Sequence, residues 1–248
     1  MQKVLFAKVI LPFLLVLFSV SGNAQSMKHN QANWFAYVGQ FKVSEKWGVH
    51  TEAQFRLDED LNRAQQNLFR LGGTYFIKPS TSITAGYGYI TTYNAGWDEY
   101  FKENRIWKQL AHNHHWNNHK NTMHHRIRLE QRFVDKLGKT NESVSVLATH
   151  YQNRFRYLNR NLIHLMELSN SNNSLYGIIQ NEIFVNIGNN KVNSKTWDQN
   201  RLFAGLGMHF KNHTRLELGY LNHYLNPSQG NDIMNHTVSL SILQNVAL

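Results

Sequence analysis

The feature that most constrains the fold of this chain is an alternation of polar and apolar residues with a period of two. Between residues 123 and 133, every even-numbered residue is His, Arg or Glu, and most of the odd-numbered residues are apolar. An α-helix would spread those charges around its whole circumference, whereas a strand places them all on one face. The pattern therefore predicts a β-strand with one charged face and one apolar face.

The same alternation recurs at regular intervals along the chain. Between residues 47 and 57, Val49 and Phe55 lie on one face and Glu52 and Arg56 on the other. Each segment with this pattern is longer than the strand of about five or six residues that is usual in globular domains. Such lengths suit the roughly 9–11 residues that a tilted strand needs to cross a bilayer. Strands are predicted over residues 33–42, 47–57, 65–77, 83–93, 103–115, 123–133, 150–168, 175–187, 201–210, 215–225 and 236–246.

These segments predict an all-β fold, an antiparallel transmembrane β-barrel of about 10–12 strands. Only alternate residues of such a barrel face lipid, so the chain needs no long apolar stretch after its first two dozen residues. The alternative is a soluble β-sandwich or a lipocalin-like barrel. A soluble core would have to bury many Arg and Glu side chains, which is costly unless each is paired.

The sequence leaves the strand number open. Eleven segments show the alternation, and bacterial single-chain barrels normally have an even number of strands. Twelve strands are favoured. Either the alternation misses one weak strand, or residues 144–168 form two strands that bend near Asn159–Asn161. Ten strands result if the first segment lies outside the barrel wall.

The first two dozen residues have the composition of a signal peptide. Lys3 and Lys8 accompany an apolar run over residues 9–20, and Gly22 and Ala24 are small residues of the kind that signal peptidase requires. The alternative is a helix that anchors the chain in the membrane, but the apolar run is too short to span it comfortably. The predicted location of the mature chain is the outer membrane of a Gram-negative cell. The predicted organisation is a signal peptide over 1–24, a short polar segment over 25–32 and the barrel over 33–248.

The charge balance limits the expected partners. The formal net charge of the chain is +10, and it falls by two when Lys3 and Lys8 leave with the signal peptide. A basic exported chain suits an anionic lipid surface or an anionic solute. We therefore expect outer-membrane lipid and small anionic solutes as partners. Nucleic acid is not expected, because the chain is exported and has no recognition motif.

Five segments within the predicted strands carry a family resemblance. They are Glu103–Leu110, His125–Arg132, Asn181–Phe184, Gln199–Gly207 and Leu218–Asn222. Together they resemble the family of outer-membrane barrels catalogued as domain of unknown function 2490, in the same order and over nearly the whole predicted mature chain. The resemblance implies a location and an architecture but no established activity, so no catalytic residue is carried over.

If the polar faces point into the lumen, the lumen holds a ladder of charged residues. Arg–carboxylate pairs on neighbouring strands would then close and stabilise the interior of a small barrel. An excess of Arg over Glu instead favours a narrow channel that prefers anions. Both interpretations remain open, and the plugged barrel is slightly favoured. The predicted ladder consists of Glu52, Arg56, Arg70, Glu103, Arg105, Arg126, Arg128, Glu130, Arg132, Arg154, Arg156, Glu182, Arg201 and Glu217.

The alternative function is an outer-membrane enzyme that modifies lipid, either a hydrolase or an acyltransferase. Such an enzyme needs a nucleophile and a base within hydrogen-bond reach. Ser145 and His150 are an odd number of residues apart, so a regular strand places them on opposite faces. The same holds for His236 with Ser239 or Ser241. A pair across two strands stays open, because one sequence does not show it. The chain also lacks a lipase-type nucleophile elbow. We therefore predict no enzymatic activity and no cofactor.

The 14 histidines raise the question of a metal site. His112, His114 and His124 belong to one predicted hairpin, and the first two share a face. Transition metals favour imidazole ligands, but no fixed spacing with Cys or Glu accompanies these residues. They are weak candidates for a metal site, and a polar interfacial turn is the favoured interpretation.

Overall fold

The computed structural model describes residues 27–140, 143–168, 173–211 and 213–247. The predicted signal peptide lies outside these ranges. No helix in the described ranges is long and apolar enough to cross a membrane. The strands are β1 (Lys28–Lys42), β2 (Trp47–Asp58), β3 (Ala64–Lys78), β4 (Thr81–Asn94), β5 (Glu99–Trp116), β6 (Asn121–Thr140), β7 (Ser143–Leu168), β8 (Asn173–Ile187), β9 (Trp197–His209), β10 (Thr214–Leu225) and β11 (Ile233–Ala247).

The strands form one closed barrel, which confirms the predicted all-β barrel fold. Each strand pairs with its sequence neighbours in antiparallel fashion, and β1 closes the barrel by pairing in parallel with β11. The parallel pairing of β1 with β11 follows from the odd number of strands. When every hairpin reverses the chain direction, the first and the eleventh strands run the same way and can only pair in parallel.

Eleven strands in the described residues fall within the predicted range, but the favoured number of twelve was too high. The predicted bend near Asn159–Asn161 is not seen, because residues Ser143–Leu168 form the single strand β7. Asn159 lies opposite His125 of β6 and Asn181 of β8, and neither ladder shifts register there. The register shifts of β7 lie at Leu147 and Leu165 instead, so the strand is paired on both sides at the position of the predicted bend.

The barrel wall also begins earlier than predicted. Strand β1 starts at Lys28, so most of the expected polar segment over residues 25–32 is part of the wall. Across the parallel seam, the ring nitrogens of His29 and His236 lie 3.0 Å apart. The side-chain amide of Asn30 donates to Asn235 at 3.0 Å. Polar residues with polar partners across the seam can form strand as readily as apolar ones.

The two faces of the wall are inverted relative to a soluble barrel. In β6, Arg128 and Glu130 are each only 1% exposed, whereas Leu129 between them is 49% exposed. The same inversion holds in β10, where Glu217 is buried and Leu218 is 55% exposed. Charged side chains therefore fill the interior, and apolar side chains cover the outside.

Candidate functional site in the barrel interior

Every residue of the predicted charged ladder is buried or half-buried, and its contacts lie inside the barrel. Arg56, Arg126, Arg132 and Arg201 are the half-buried members. The buried members are Glu52, Arg70, Glu103, Arg105, Arg128, Glu130, Arg154, Arg156, Glu182 and Glu217.

Glu130 is the centre of the interior network. Arg154 and Arg156, on the neighbouring strand β7, each donate to its carboxylate at 2.6 Å. Arg70 of β3 donates to the same carboxylate at 3.2 Å, and Arg105 of β5 lies 3.8 Å away. Strands β3 and β6 are not neighbours in the wall, so the contact between Arg70 and Glu130 crosses the interior of the barrel.

Three other carboxylates extend the network around the wall. Arg70 contacts both carboxylate oxygens of Glu52, at 2.9 and 2.8 Å, and thereby links β2 to Glu130. Arg156 donates to Glu182 at 2.8 Å, and Arg154 donates to Asp198 at 2.9 Å. We call this layer of side chains the plug, and it consists of Glu52, Arg70, Glu130, Arg154, Arg156, Glu182 and Asp198.

The side chains of the plug are buried. Glu130 is 1% exposed, and Gln152 of β7 is fully buried. Charges in such an environment are stable only when each has a partner of opposite sign and further hydrogen bonds. Arg70, Arg154 and Arg156 meet that condition because each one contacts two carboxylates.

A second layer covers the plug on the side of the β8–β9 connection. We call residues 188–196 the inner loop. Its Asn193 is buried and donates to Asp198 of the plug at 3.0 Å and to the carbonyl of Asn226 at 2.8 Å. Asn190 is also buried, and its side-chain oxygen accepts from the backbone N–H of Asn153 at 2.8 Å. The inner loop is therefore tied to the plug, to β7 and to the β10–β11 connection.

A cavity of about 780 Å³ lies on the other side of the plug. The plug residues Glu52 and Glu182 line one end of the cavity. Pro79 of the β3–β4 connection, His213 of the β9–β10 connection and Val246 of β11 line the other end. The cavity therefore extends from the plug to the end of the barrel that carries these short connections.

Sequence reasoning missed three charged residues of the interior. Arg160 and Arg215 line the cavity. Both lie within predicted strands and have the same parity as Arg156 and Glu217 of those strands, so the alternation marks them although the predicted ladder omits them. Asp198 has no such signal. The register between β8 and β9 shifts at this point, and Asp198 is the residue without a partner in the β9 ladder. A β-bulge turns a side chain out of the regular alternation, so a period of two cannot locate it.

The histidines of the β5–β6 hairpin do not form a common site. His112 is exposed and contacts the hydroxyl of Thr81 at 2.9 Å, and His114 is also exposed. His124 lines the cavity and contacts the side chain of Asn113 at 2.6 Å. In the part of the chain that the structure describes, no three His, Cys, Asp or Glu side chains are arranged to hold a metal ion.

The candidate residues for lipid chemistry are also separated. His236 contacts the hydroxyl of Tyr220, which is 46% exposed on the outside of the barrel. Ser239 lines the cavity on the inside. The sheet lies between them, as the odd spacing predicts.

The comparisons with known proteins identify a family. A family model described as "Protein of unknown function (DUF2490)" matches residues 31–234. This match confirms the resemblance seen in the sequence, and the chain belongs to that family. No curated protein has a significant sequence match. The crystal structure of the β-domain of the Bordetella autotransporter BrkA is similar at 7% sequence identity and a TM-score of 0.46, over 73% of this chain and 78% of that one. A likeness at that score carries no argument about function.

Proposed function

We propose that this member of the DUF2490 family is an outer-membrane barrel that the plug closes to the free passage of solutes, so that it acts as a structural component of the membrane. The outward apolar face supports the location. Side chains such as Leu129 and Leu218, about half exposed, are stable on the outside of a barrel when lipid surrounds it. The signal peptide predicted over residues 1–24 would direct export of the chain, as a location in the outer membrane requires.

The position of Glu130 is the observation that best supports a closed barrel. Its carboxylate contacts arginines of β3, β5 and β7, so the network bridges strands that are not neighbours. A wall-bound ladder would leave the centre of the lumen free, whereas a network across the lumen fills it. Small barrels are commonly filled by side chains in this way.

Planar-bilayer recording tests the closed state directly. The purified full chain is expected to insert without producing steady conductance steps, because ions would have to break several buried ion pairs to pass. Stepwise anion-selective conductance of the unaltered protein would contradict the closed barrel. It would instead support a narrow anion channel, the alternative that the excess of interior arginines favours.

If lipid surrounds the barrel, a charge introduced on its outer face should strongly lower its stability. Leu218 lies near the middle of β10. Leu218→Arg is expected to lower the free energy of unfolding from lipid vesicles by about 2–4 kcal/mol, the cost of Arg near the bilayer midplane. Urea titration of folding into vesicles measures this change. Asn62→Arg, in the exposed β2–β3 connection, adds the same charge away from the strands and serves as the control. Equal stability of the two variants would argue against a lipid-facing outer wall.

A further inference from the structure

The cavity beside the plug has the size of a ligand-binding site. Its volume of about 780 Å³ falls within the range of about 300–1,000 Å³ found for small-molecule sites. A closed structural barrel does not require such a space, since its interior can be filled by side chains throughout. The chemistry of the cavity wall then indicates what kind of molecule it would hold.

The cavity wall carries an excess of positive charge. Three carboxylates line it, and each already has an arginine partner: Glu52 pairs with Arg70, Glu182 with Arg156, and Glu217 with Arg160. Among the described residues, neither Arg201 nor Arg215 forms an ion pair with a carboxylate. The cations that line the cavity are Lys42, Arg126, Arg156, Arg160, Arg201 and Arg215. An anion in the cavity would therefore compensate charge that the protein itself leaves uncompensated.

One side of the same cavity is apolar. Phe203 and Leu221 line it and belong to a buried cluster with Tyr176 and Ile178, against which Trp34 packs. The lumen of a membrane barrel is usually polar, so this patch departs from the rule.

Glycines beneath the ring of Phe203 keep the cavity open beside the patch. A Cβ atom at Gly219 would lie 2.6 Å from the tip of the ring, and one at Gly205 would lie 2.8 Å from it. The ring therefore lies against the bare backbone of these two residues instead of extending across the lumen.

The apolar patch lies between the two arginines that lack carboxylate partners. Arg201 precedes Phe203 by two residues on the same face of β9, and Phe203 is opposite Leu221 of β10. Arg215 lies at the start of β10, near the end of the barrel with the short connections. The guanidinium of Arg201 also stacks on Trp34, with its central carbon 5.0 Å from the ring centroid. An anionic group and an apolar body would thus both find partners within one cavity.

We propose that this cavity binds an amphipathic organic anion, a molecule with an apolar body and a carboxylate, phosphate or sulfonate group. Arg201, two residues from Phe203 on the same face, would contact the anionic group, and the patch around Phe203 and Leu221 would contact the body. Arg215, about eight residues farther along the wall, would attract the anion at the end of the cavity. This inference goes beyond the closed structural barrel, which needs no ligand. Conductance and ligand binding test the two proposals separately.

A pair of fluorescent probes tests the proposal. Anilinonaphthalene sulfonate is an amphipathic anion, and phenylnaphthylamine has the same aromatic body without the sulfonate. With the full chain held in amphipathic polymer, the anionic probe is expected to bind saturably and more tightly than the neutral one. The double variant Arg201→Gln/Arg215→Gln is expected to raise the Kd of the anionic probe about tenfold or more, the effect of losing a charge-assisted hydrogen bond.

Matched controls keep the test decisive. Arg63→Gln removes a positive charge from the exposed β2–β3 connection and is expected to leave the Kd unchanged. Arg201→Lys/Arg215→Lys retains the charge and is expected to retain most of the binding, which separates loss of charge from misfolding. Equal Kd values for the unaltered chain and the Gln double variant would overturn the proposal. Displacement of the probe by an equal concentration of inorganic sulfate would overturn the amphipathic character of the ligand.

Discussion

Glu130→Gln is expected to lower the free energy of unfolding of the barrel by about 3 kcal/mol, the lower end of the cost of removing one partner from a buried ion pair. The substitution keeps the shape of the side chain but removes the charge that Arg154 and Arg156 contact at 2.6 Å. Arg70 and Arg105 lose the same partner. These arginines keep Glu52, Glu103, Glu182 and Asp198 as other partners, so the network is expected to weaken without unfolding the barrel.

Urea unfolding of the purified chain in lipid vesicles, followed by tryptophan fluorescence, measures this effect. Glu59→Gln is the matched control, because Glu59 is exposed in the β2–β3 connection and its loss is expected to change stability by less than about 0.5 kcal/mol. A double-mutant cycle with Arg156→Gln then isolates the pair itself. If Glu130→Gln and Glu59→Gln unfold at the same urea concentration, Glu130 is not the centre of the interior network.

The alternation of residue types made the wall and its two faces predictable. A period of two decides which side of the sheet a residue occupies, so Arg128 and Leu129 could be assigned to opposite faces without a structure. The strand pattern also located ten of the ladder residues that the structure buries. These properties are local, since each depends only on the residues next to it in the same strand.

The remaining features depend on contacts between distant parts of the chain. The start of β1 at Lys28 depends on its seam with β11, which pairs residues more than 200 positions apart. The contact between Arg70 and Glu130 depends on which strands face one another across the lumen. Asn193 of the inner loop lies outside any strand, so no periodicity marks it as part of the closed interior. A single sequence carries no direct signal for such pairings.

Removal of both closing layers is expected to convert the silent barrel into an anion-selective pore. The variant Glu130→Ser/Arg154→Ser/Arg156→Ser takes away the centre of the plug, and Asn193→Gly in the same chain releases the inner loop from Asp198 and Asn226. The small hydroxyls that replace the charged groups remain compatible with water. Planar-bilayer recordings of this variant should show conductance steps that the unaltered chain lacks.

The expected selectivity follows from the side chains that stay in the lumen. Among the described residues, Arg56, Arg201 and Arg215 form no ion pair, and the ion pair of Arg128 with Glu52 is long, at 4.0 Å. These arginines would face the new pathway, so chloride should permeate more readily than potassium. Glu59→Ser/Arg63→Ser/Lys102→Ser changes the same number of charges at exposed positions and should leave the barrel silent. A variant with both layers removed that still folds but carries no current would show that the barrier lies elsewhere. Cation selectivity would contradict the assignment of these arginines to the pathway.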